Sequence, residues 1–533
     1  MALNIYGLEQ RIADVMGRAR IPGMALALFQ EQEVVYARGF GVTAVDDGGL
    51  PVTPRTLFRI GSLTKSMTAA AIMRFVERGD LDLDAPVSRY VPWLRFSQAG
   101  AEERITLRML LSHSAGLPTA YAPFGYRGED GLASYVRDEV SGYEFTAPPG
   151  KLYSYSNPGV RVAGLILQVV AGRPYTELMQ ELVFDPLDME RTTFDLTVAI
   201  TYPVAQSHGL DDDGNLRVWH RYSDNTGSYP SGSVISTAVD MAHYGLMHLN
   251  AGVHRGRRVL APESVAEMQS VVADCYGVGG GGYGLGFHVD RYKGRRRVWH
   301  EGSISTYGSR LVLLPETGTG VVLFNNRCPG FWTTAAALAD SILDEFLGLP
   351  AAATEPPSVE PDRGRWQRYE GAYLGDWRGL AEVEVDRGQL VLTWNGEALP
   401  LSAARPDLYW ARRPGDGEIV SVGFVPEDEG QVQYVQVNSS PCRRWVPDTS
   451  PALPSGEWAA YAGHYVGAEG LRVRLEGDRL LLYSEDVGRE MACVPLGGHR
   501  FASDVGVIEF QVAEDGSVPA LRFGHIWTLN RAS

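Results

Sequence analysis

The sequence predicts a multidomain chain, α/β in its first part and all-β after it. Three observations carry that reading. At 533 residues the chain is too long for one hydrophobic core. As far as about Leu349, segments of helical period mix with segments of strand period. Beyond a Pro- and Ala-rich stretch the chain turns to short alternating strands, in a pattern that occurs twice.

Taken in order, LEQRIADVMGRARI has helical spacing. GMALALFQEQEVVYARGFG reads as two strands that turn at Gln30-Glu31-Gln32-Glu33. TAAAIMRFVERG reads as a helix stopped by Gly79. VWHEGSISTYGSRLVLLPETGTGVVLFNN reads as three short strands, with turns at Ser305-Thr306 and Glu316-Thr317-Gly318. LGLPAAATEPPSVEPDRG has no period and reads as a linker. After it, Tyr369-Glu370-Gly371-Ala372-Tyr373 recurs as Tyr461-Ala462-Gly463-His464-Tyr465, and VEVDRGQLVL recurs as VRLEGDRLLL. A repeat of about 90 residues suits a small domain. Two small antiparallel β-barrels follow, with the repeated Tyr and Gly expected as barrel packing and a bulge. The expected layout is an α/β domain over 1–350, a linker over 351–364, a barrel over 365–447, a linker over 448–456 and a barrel over 457–533.

Composition excludes several classes. A formal net charge of −16 disfavours nucleic acid and anionic membrane as partners. The four cysteines, Cys275, Cys328, Cys442 and Cys493, lie far apart and are too few for a disulfide scaffold or zinc knuckle. The N-terminal stretch carries charges throughout, and no apolar run approaches the ~18 residues of a membrane span. The expected location is the cytoplasm, unless a leader has been removed. No metal or cofactor is expected.

The chemistry starts at Ser62-Leu63-Thr64-Lys65, where a helix begins. Residues three apart share a helix face, so Lys65 can reach the Ser62 hydroxyl, a weak nucleophile that needs a base. The helix N-terminus lowers the cost of negative charge there. To serve as that base the lysine must shift down by about 3 pKa units, about 4 kcal/mol, which requires enclosure. Ser-x-x-Lys alone is a weak pattern. Tyr155-Ser156-Asn157 stands on a loop entering another apolar helix. Its phenol can relay a proton, and its amide can orient a substrate carbonyl and the lysine. His300-Glu301-Gly302 stands on a strand. Glycine there lets an extended substrate pair along the strand.

In that order, Ser62-x-x-Lys65, Tyr155-Ser156-Asn157 and His300-x-Gly302 resemble the three motifs of the penicillin-recognising serine hydrolases. These include class C β-lactamases, DD-peptidases, D-aminopeptidases and related esterases. LFRIGSLTKSMTA, ITLRMLLSHSAGLP, PPGKLYSYSNPG and SGSVISTAVDMAHY support the resemblance. It implies a class C β-lactamase-like α/β sandwich with a helical lobe, followed here by two lipocalin-like barrels. By resemblance, Ser62 is the nucleophile, Lys65 its base and Tyr155 the proton shuttle. Asn157 and His300 then bind substrate beside Gly302, and the backbone N–H groups of Ser62 and Ser303 form the oxyanion hole.

One departure matters. Many members carry Lys-Thr-Gly in the third motif, and its lysine attracts a carboxylate. His-Glu-Gly is a poor carboxylate trap, which weighs against β-lactamase and carboxypeptidase activity. His300 together with two C-terminal barrels resembles the three-domain D-aminopeptidases, in which a barrel loop reaches the cleft. The implied function is hydrolysis of D-amino-acid peptides or amides. The alternatives are a carboxylesterase or weak β-lactamase of the same family, and a degenerate binding or scaffold protein. The expected partner is a small peptide, amide or ester, with self-association through the barrels as a further expectation.

Other stretches have plainer readings. YGVGGGGYGLGFH reads as a flexible loop entering a strand. GLDDDGNLRVW lacks calcium-loop spacing and reads as a hairpin turn. His243 and His248 read as structural, and His113 as part of a turn after a helix. RYKGRRRVWH reads as a solvated hairpin, or as a guide for an acidic substrate.

Overall fold

The structure is a computed structural model. It describes residues 4–532 except 121, 124, 212, 221, 223, 329–333, 351–354, 416, 447–454, 467–469, 485–488, 505 and 524–526. The chain divides into two compact units, Met1–Asp274 with Gly281–Thr354, and Cys275–Gly280 with Glu355–Ser533.

The first unit holds most of an eight-stranded antiparallel sheet of order β2-β1-β8-β7-β6-β5-β4-β3, whose edge strand β3 runs on into the segment Cys275–Gly280. Its strands are β1 (Gly23–Gln30), β2 (Glu33–Gly41), β3 (Ala273–Gly277), β4 (Gly281–Tyr283), β5 (His288–Tyr292), β6 (Arg295–Ile304), β7 (Tyr307–Leu314) and β8 (Thr319–Asn325). Its main helices are α1 (Ile5–Ala19), α2 (Thr64–Arg78), α3 (Asn157–Ala171), α4 (Ala238–Leu249) and α5 (Thr334–Leu347). The strand period sorts the core into two layers. Met24, Leu26 and Leu28 of β1 face Leu8 and Ile12 of α1 and Leu338, Ile342 and Leu343 of α5. Ala25, Ala27 and Phe29 face the other way, into the larger core with α2, α3 and α4. The hairpins expected at Glu31-Gln32, Ser305-Thr306 and Glu316-Thr317-Gly318 stand where the sequence places them, and Gly79 closes α2 in the left-handed region. The helical lobe lies between β2 and β3.

The second unit holds two antiparallel sheets of nine strands each. In the first, the edge strands Glu397–Pro400 and Ser402–Arg405 follow one another across Leu401, so the sheet nearly closes on itself. In the second, Arg489–Ala492 and Val494–Gly497 do the same across Cys493. The sequence repeat is a packing repeat. Tyr369 stacks on Phe424 and Tyr461 on Phe510, at centroid distances of 3.9 and 4.2 Å. Tyr373 and Tyr465 each donate to the carbonyl of the tyrosine four residues earlier, at 2.7 and 2.8 Å. The repeated glycines do not mark bulges, because pairing runs unbroken through both strands. They make room for arginines: a Cβ at Gly371 would lie 2.1 Å from Arg444, and one at Gly463 would lie 2.8 Å from Arg531.

Of the expected linkers, 351–354 and most of 448–456 lie outside the described residues. Val359 bonds to Ala403, and Trp410 to the Pro357 carbonyl, so that part of the first linker is tied to its barrel. Cys275, Cys442 and Cys493 are buried, and Cys328 is half-buried. Among the described residues no helix is long and apolar enough to cross a membrane.

Candidate active site

The strand pair Phe58–Arg59 and Ile235–Ser236 leads the chain to the start of α2. Gly61 turns it at a φ of 51°, and a single 3₁₀ turn, Gly61–Leu63, presents Ser62 before α2 begins. Thr64 Oγ1 donates to the Gly61 carbonyl at 2.7 Å and fixes that turn. Ser62 is partly exposed, while Lys65 is 0 % exposed. Lys65 Nζ lies 2.8 Å from Ser62 Oγ and donates to the Ser231 carbonyl at 2.7 Å. Burial, then the charge of Arg161, holds the lysine well below its ordinary pKa. This is the enclosure that the Ser-x-x-Lys reading requires.

Tyr155 and Asn157 flank the N-cap of α3. Ser156 caps that helix by accepting from Gly159 N–H at 3.1 Å. Its own N–H donates to His113 Nδ1 at 3.0 Å, and the Thr119 hydroxyl donates to the Tyr155 carbonyl. The Tyr155 ring centre is 4.9 Å from Lys65 Nζ and 4.3 Å from the His113 ring centre. Asn157 opens α3 at 8 % exposure. Its amide makes no hydrogen bond to Lys65 among the described residues; the Ser231 carbonyl holds the lysine instead.

His300 is 1 % exposed, and both of its ring nitrogens are in use. One lies 2.6 Å from the Glu301 carbonyl, which can only accept, so Nδ1 carries the proton. Nε2 is then the acceptor for the Tyr283 hydroxyl at 2.8 Å. Burial, the neighbouring His288 and the lysine keep the ring neutral, with a pKa well below the usual histidine range. Glu301 alternates to the opposite face of β6, where it pairs with Arg310 at 2.9 Å. Burial raises its carboxyl to about 7, against the pull of Arg310.

Gly302 and Ser303 meet the nucleophile through backbone. A Cβ on Gly302 would lie 2.8 Å from Ser62 N, and one on Gly61 would lie 2.8 Å from Ser303 N. Pairing of β6 with β5 stops at Trp299, so His300–Ile304 has a ladder partner on the β7 side alone among the described residues.

The structure thus gathers Ser62, Lys65, Tyr155, His300, Gly302 and Ser303. It adds residues that sequence reading missed. Ser231 and Arg161 come from separate helices. His113 does form a turn, at a φ of 59°, but it also lies against Tyr155. Tyr283 belongs to the glycine-rich stretch; it is fully buried on β4, which pairs with β5, rather than on a loop. RYKGRRRVWH forms the β5–β6 turn, and two of its cations are committed to carboxylates. Arg297 grips Asp290 at 2.8 Å and reaches Asp340, and Lys293 pairs with Asp344.

Comparison with known proteins agrees with this layout. A family model described as Beta-lactamase matches residues 8–343. Penicillin-binding protein 4 of Amycolatopsis lactamdurans is 29 % identical over 387 residues, 68 % of this chain and 98 % of that protein. The octameric penicillin-binding protein homologue from Pyrococcus abyssi superposes with a TM-score of 0.57 at 27 % identity, covering 83 % of this chain and all of that one. The D-amino acid amidase from Ochrobactrum anthropi SV3, solved with L-phenylalanine amide, shares the fold with a TM-score of 0.54 at 22 % identity, over 64 % of this chain and 98 % of its own. A model match across most of the chain, together with this arrangement, places the protein in the Beta-lactamase family, whose members are in general serine hydrolases.

Proposed function

We propose that this protein is a serine hydrolase that cleaves amide, peptide or ester bonds through an acyl-enzyme on Ser62. One observation carries the reading: a fully buried lysine amine stands 2.8 Å from a partly exposed serine hydroxyl. A neutral Lys65 keeps one N–H on the Ser231 carbonyl and offers its lone pair to the Ser62 proton. Ser62 Oγ attacks the substrate carbonyl. The developing oxyanion is received by the N–H groups of Ser62 and Ser303, which the Gly61–Gly302 contact brings to one place. The Tyr155 phenol, over the lysine, passes a proton to the leaving group. Water then enters by the reverse route and releases the acid.

For the substrate we propose small D-amino-acid amides and peptides, with esters as a close second class. His300 supports this negatively: neutral and committed at both nitrogens, it has no charge with which to hold a carboxylate on the leaving side. The stereochemical preference rests on the resemblance to D-aminopeptidases in the third motif and the two barrels. Asn157 we assign to the substrate amide. Self-association belongs to the same proposal, in line with the octameric homologue.

The test is a panel of D- and L-amino-acid p-nitroanilides, p-nitrophenyl esters and nitrocefin. Turnover of D-anilides above L-anilides and nitrocefin supports the assignment. Efficient nitrocefin hydrolysis with inert anilides refutes it.

A further inference from the structure

Arg161 lies on α3 one turn beyond Asn157, on the same side of the helix, and is 3 % exposed. Its Nε donates to Ser231 Oγ at 2.9 Å and its Nη1 to the Tyr135 hydroxyl at 2.8 Å. The guanidinium carbon is 4.9 Å from the centre of the Tyr135 ring. All of these partners are uncharged. Among the described residues no carboxylate is within ion-pair distance of Arg161. A buried cation without a counter-ion is expensive, and hydrogen bonds to neutral groups offset only part of that.

Ser231 joins this arginine to the lysine. Its Oγ accepts from Arg161 and donates to the Ser228 carbonyl at 3.1 Å. Its carbonyl accepts from Lys65 Nζ at 2.7 Å. The short helix Tyr229–Gly232 that carries it is clamped from both sides. From α2, Thr68 Oγ1 donates to the Pro230 carbonyl at 2.7 Å. From α3, Gly164 admits the Pro230 ring, since a Cβ there would stand 2.3 Å from Pro230 Cγ. Ser231 therefore has a fixed place between the two helices that supply the serine–lysine pair and the tyrosine.

We propose that Arg161 is a positioning residue for Lys65: through Ser231 it fixes the amine at Ser62, and as an uncompensated second cation it disfavours the ammonium form. The proposal rests on the reading of Lys65 as the base for Ser62. The shift of the lysine supports it, with Arg161 as the named cause after burial. The other titratable groups facing the amine are the Tyr155 phenol and the histidines His113 and His300, and burial holds both histidines neutral. On the arginine's other side stand Tyr135 and Tyr143; burial pushes the Tyr143 phenol up, so it stays protonated. Glu139, in the same lobe, accepts from the Tyr126 hydroxyl at 2.8 Å.

The experiment follows the rate of Ser62 labelling by a fluorophosphonate probe from pH 5 to 10, with thermal denaturation of each variant in parallel. In Arg161→Gln the acid limb of the profile should move up by about one pH unit or more, so labelling at pH 7 falls about tenfold. Arg161→Lys, which keeps the charge but not the planar fork, should hold the limb near its original pH while lowering the plateau. Ser231→Ala, which removes the link and not the charge, should also lower the plateau and leave the limb in place. A folded Arg161→Gln protein with an unmoved limb overturns the proposal. So does an Arg161→Lys limb displaced as far as that of a neutral side chain, and either variant decides alone if the other does not fold. Wild-type protein that takes no label, or label that survives Ser62→Ala, would instead overturn the reading of the site on which the proposal rests.

Discussion

Gly61 and Gly302 are built into one another. A Cβ on Gly302 would stand 2.1 Å from the Ile60 carbonyl and 2.8 Å from Ser62 N, while one on Gly61 would stand 2.8 Å from Ser303 N. Two backbones, one leading into α2 and one on β6, approach as closely as glycine allows. Their contact sets the spacing of the two N–H groups that the proposed mechanism uses on the oxyanion.

Gly302→Ala should therefore damage turnover more than binding. The added methyl must push β6 off the Gly61 turn, since backbone atoms cannot swing aside as a side-chain tip does. The expected loss in kcat is about 10²–10³-fold, about 3–4 kcal/mol, with a smaller change in KM. Steady-state kinetics on the best anilide check it. An unchanged kcat would mean that the two donors are not set by this contact.

Lys65→Ala and Tyr155→Phe should each be severe, at about 10³-fold or more in kcat/KM. The double variant should be far from multiplicative, because in the proposed mechanism the lysine and the phenol, whose ring centre is 4.9 Å from the amine, handle the same proton. Independent, multiplicative losses in a double-mutant cycle would place the proton relay elsewhere.

His300→Lys should destabilise the protein rather than convert it to carboxylate-bearing substrates. The ring nitrogens already hold the Glu301 carbonyl and the Tyr283 hydroxyl, and the position is 1 % exposed. A lysine there would be a buried charge near Lys65, at a cost of about 3–5 kcal/mol. Denaturant midpoints and nitrocefin turnover measure both sides of this. A stable His300→Lys protein that hydrolyses nitrocefin well would show that the ring is free to face substrate.

Stability should fall on acidification below pH 6.5. Burial pulls His248 and His288 down to about 3, and holds His113 and His300 well below their usual range. The unfolded chain binds protons at these rings that the folded chain excludes. The contribution is therefore present above pH 6.5 and lost as pH falls toward 3, by up to about 1.4 kcal/mol per histidine per pH unit. Glu301, raised to about 7, acts in the opposite sense: its contribution is present below 4.5 and lost as pH rises through 7. One carboxyl is outweighed by four rings. Thermal midpoints between pH 8 and 4 test the sign, and a flat or rising profile toward acid contradicts it.

The parts of this site visible in the sequence are those in which the partners lie close along the chain. Ser62 and Lys65 share a helix face because three residues separate them. Tyr155 stands just ahead of Asn157 because Ser156 caps the helix between them. The first hairpin could be read because the apolar run Met24–Phe29 gives way to the polar Gln30-Glu31-Gln32-Glu33. What escaped were meetings between distant segments. Arg161 reads as one charge in an apolar helix, and only the fold brings Ser231 and Lys65 to it. Tyr283 was hidden because the glycines around it resemble a loop, yet they serve close packing: a Cβ on Gly284 would strike the Met268 carbonyl at 2.3 Å. His300 reads in the sequence as a group beside the substrate, and its hydrogen-bond partners are not part of that reading. Spacing gives no sign that both nitrogens are spent on Glu301 and Tyr283.

The central claim is that Ser62 becomes acylated with the help of Lys65. Its most direct test is intact-protein and peptide mass spectrometry after brief exposure to a slow ester or fluorophosphonate at pH 7. One adduct per chain is expected, on the peptide containing Ser62, absent in Ser62→Ala and strongly slowed in Lys65→Ala while both variants keep the wild-type melting profile. An adduct on another residue, or hydrolysis by the Ser62→Ala protein at the wild-type rate, would contradict the account.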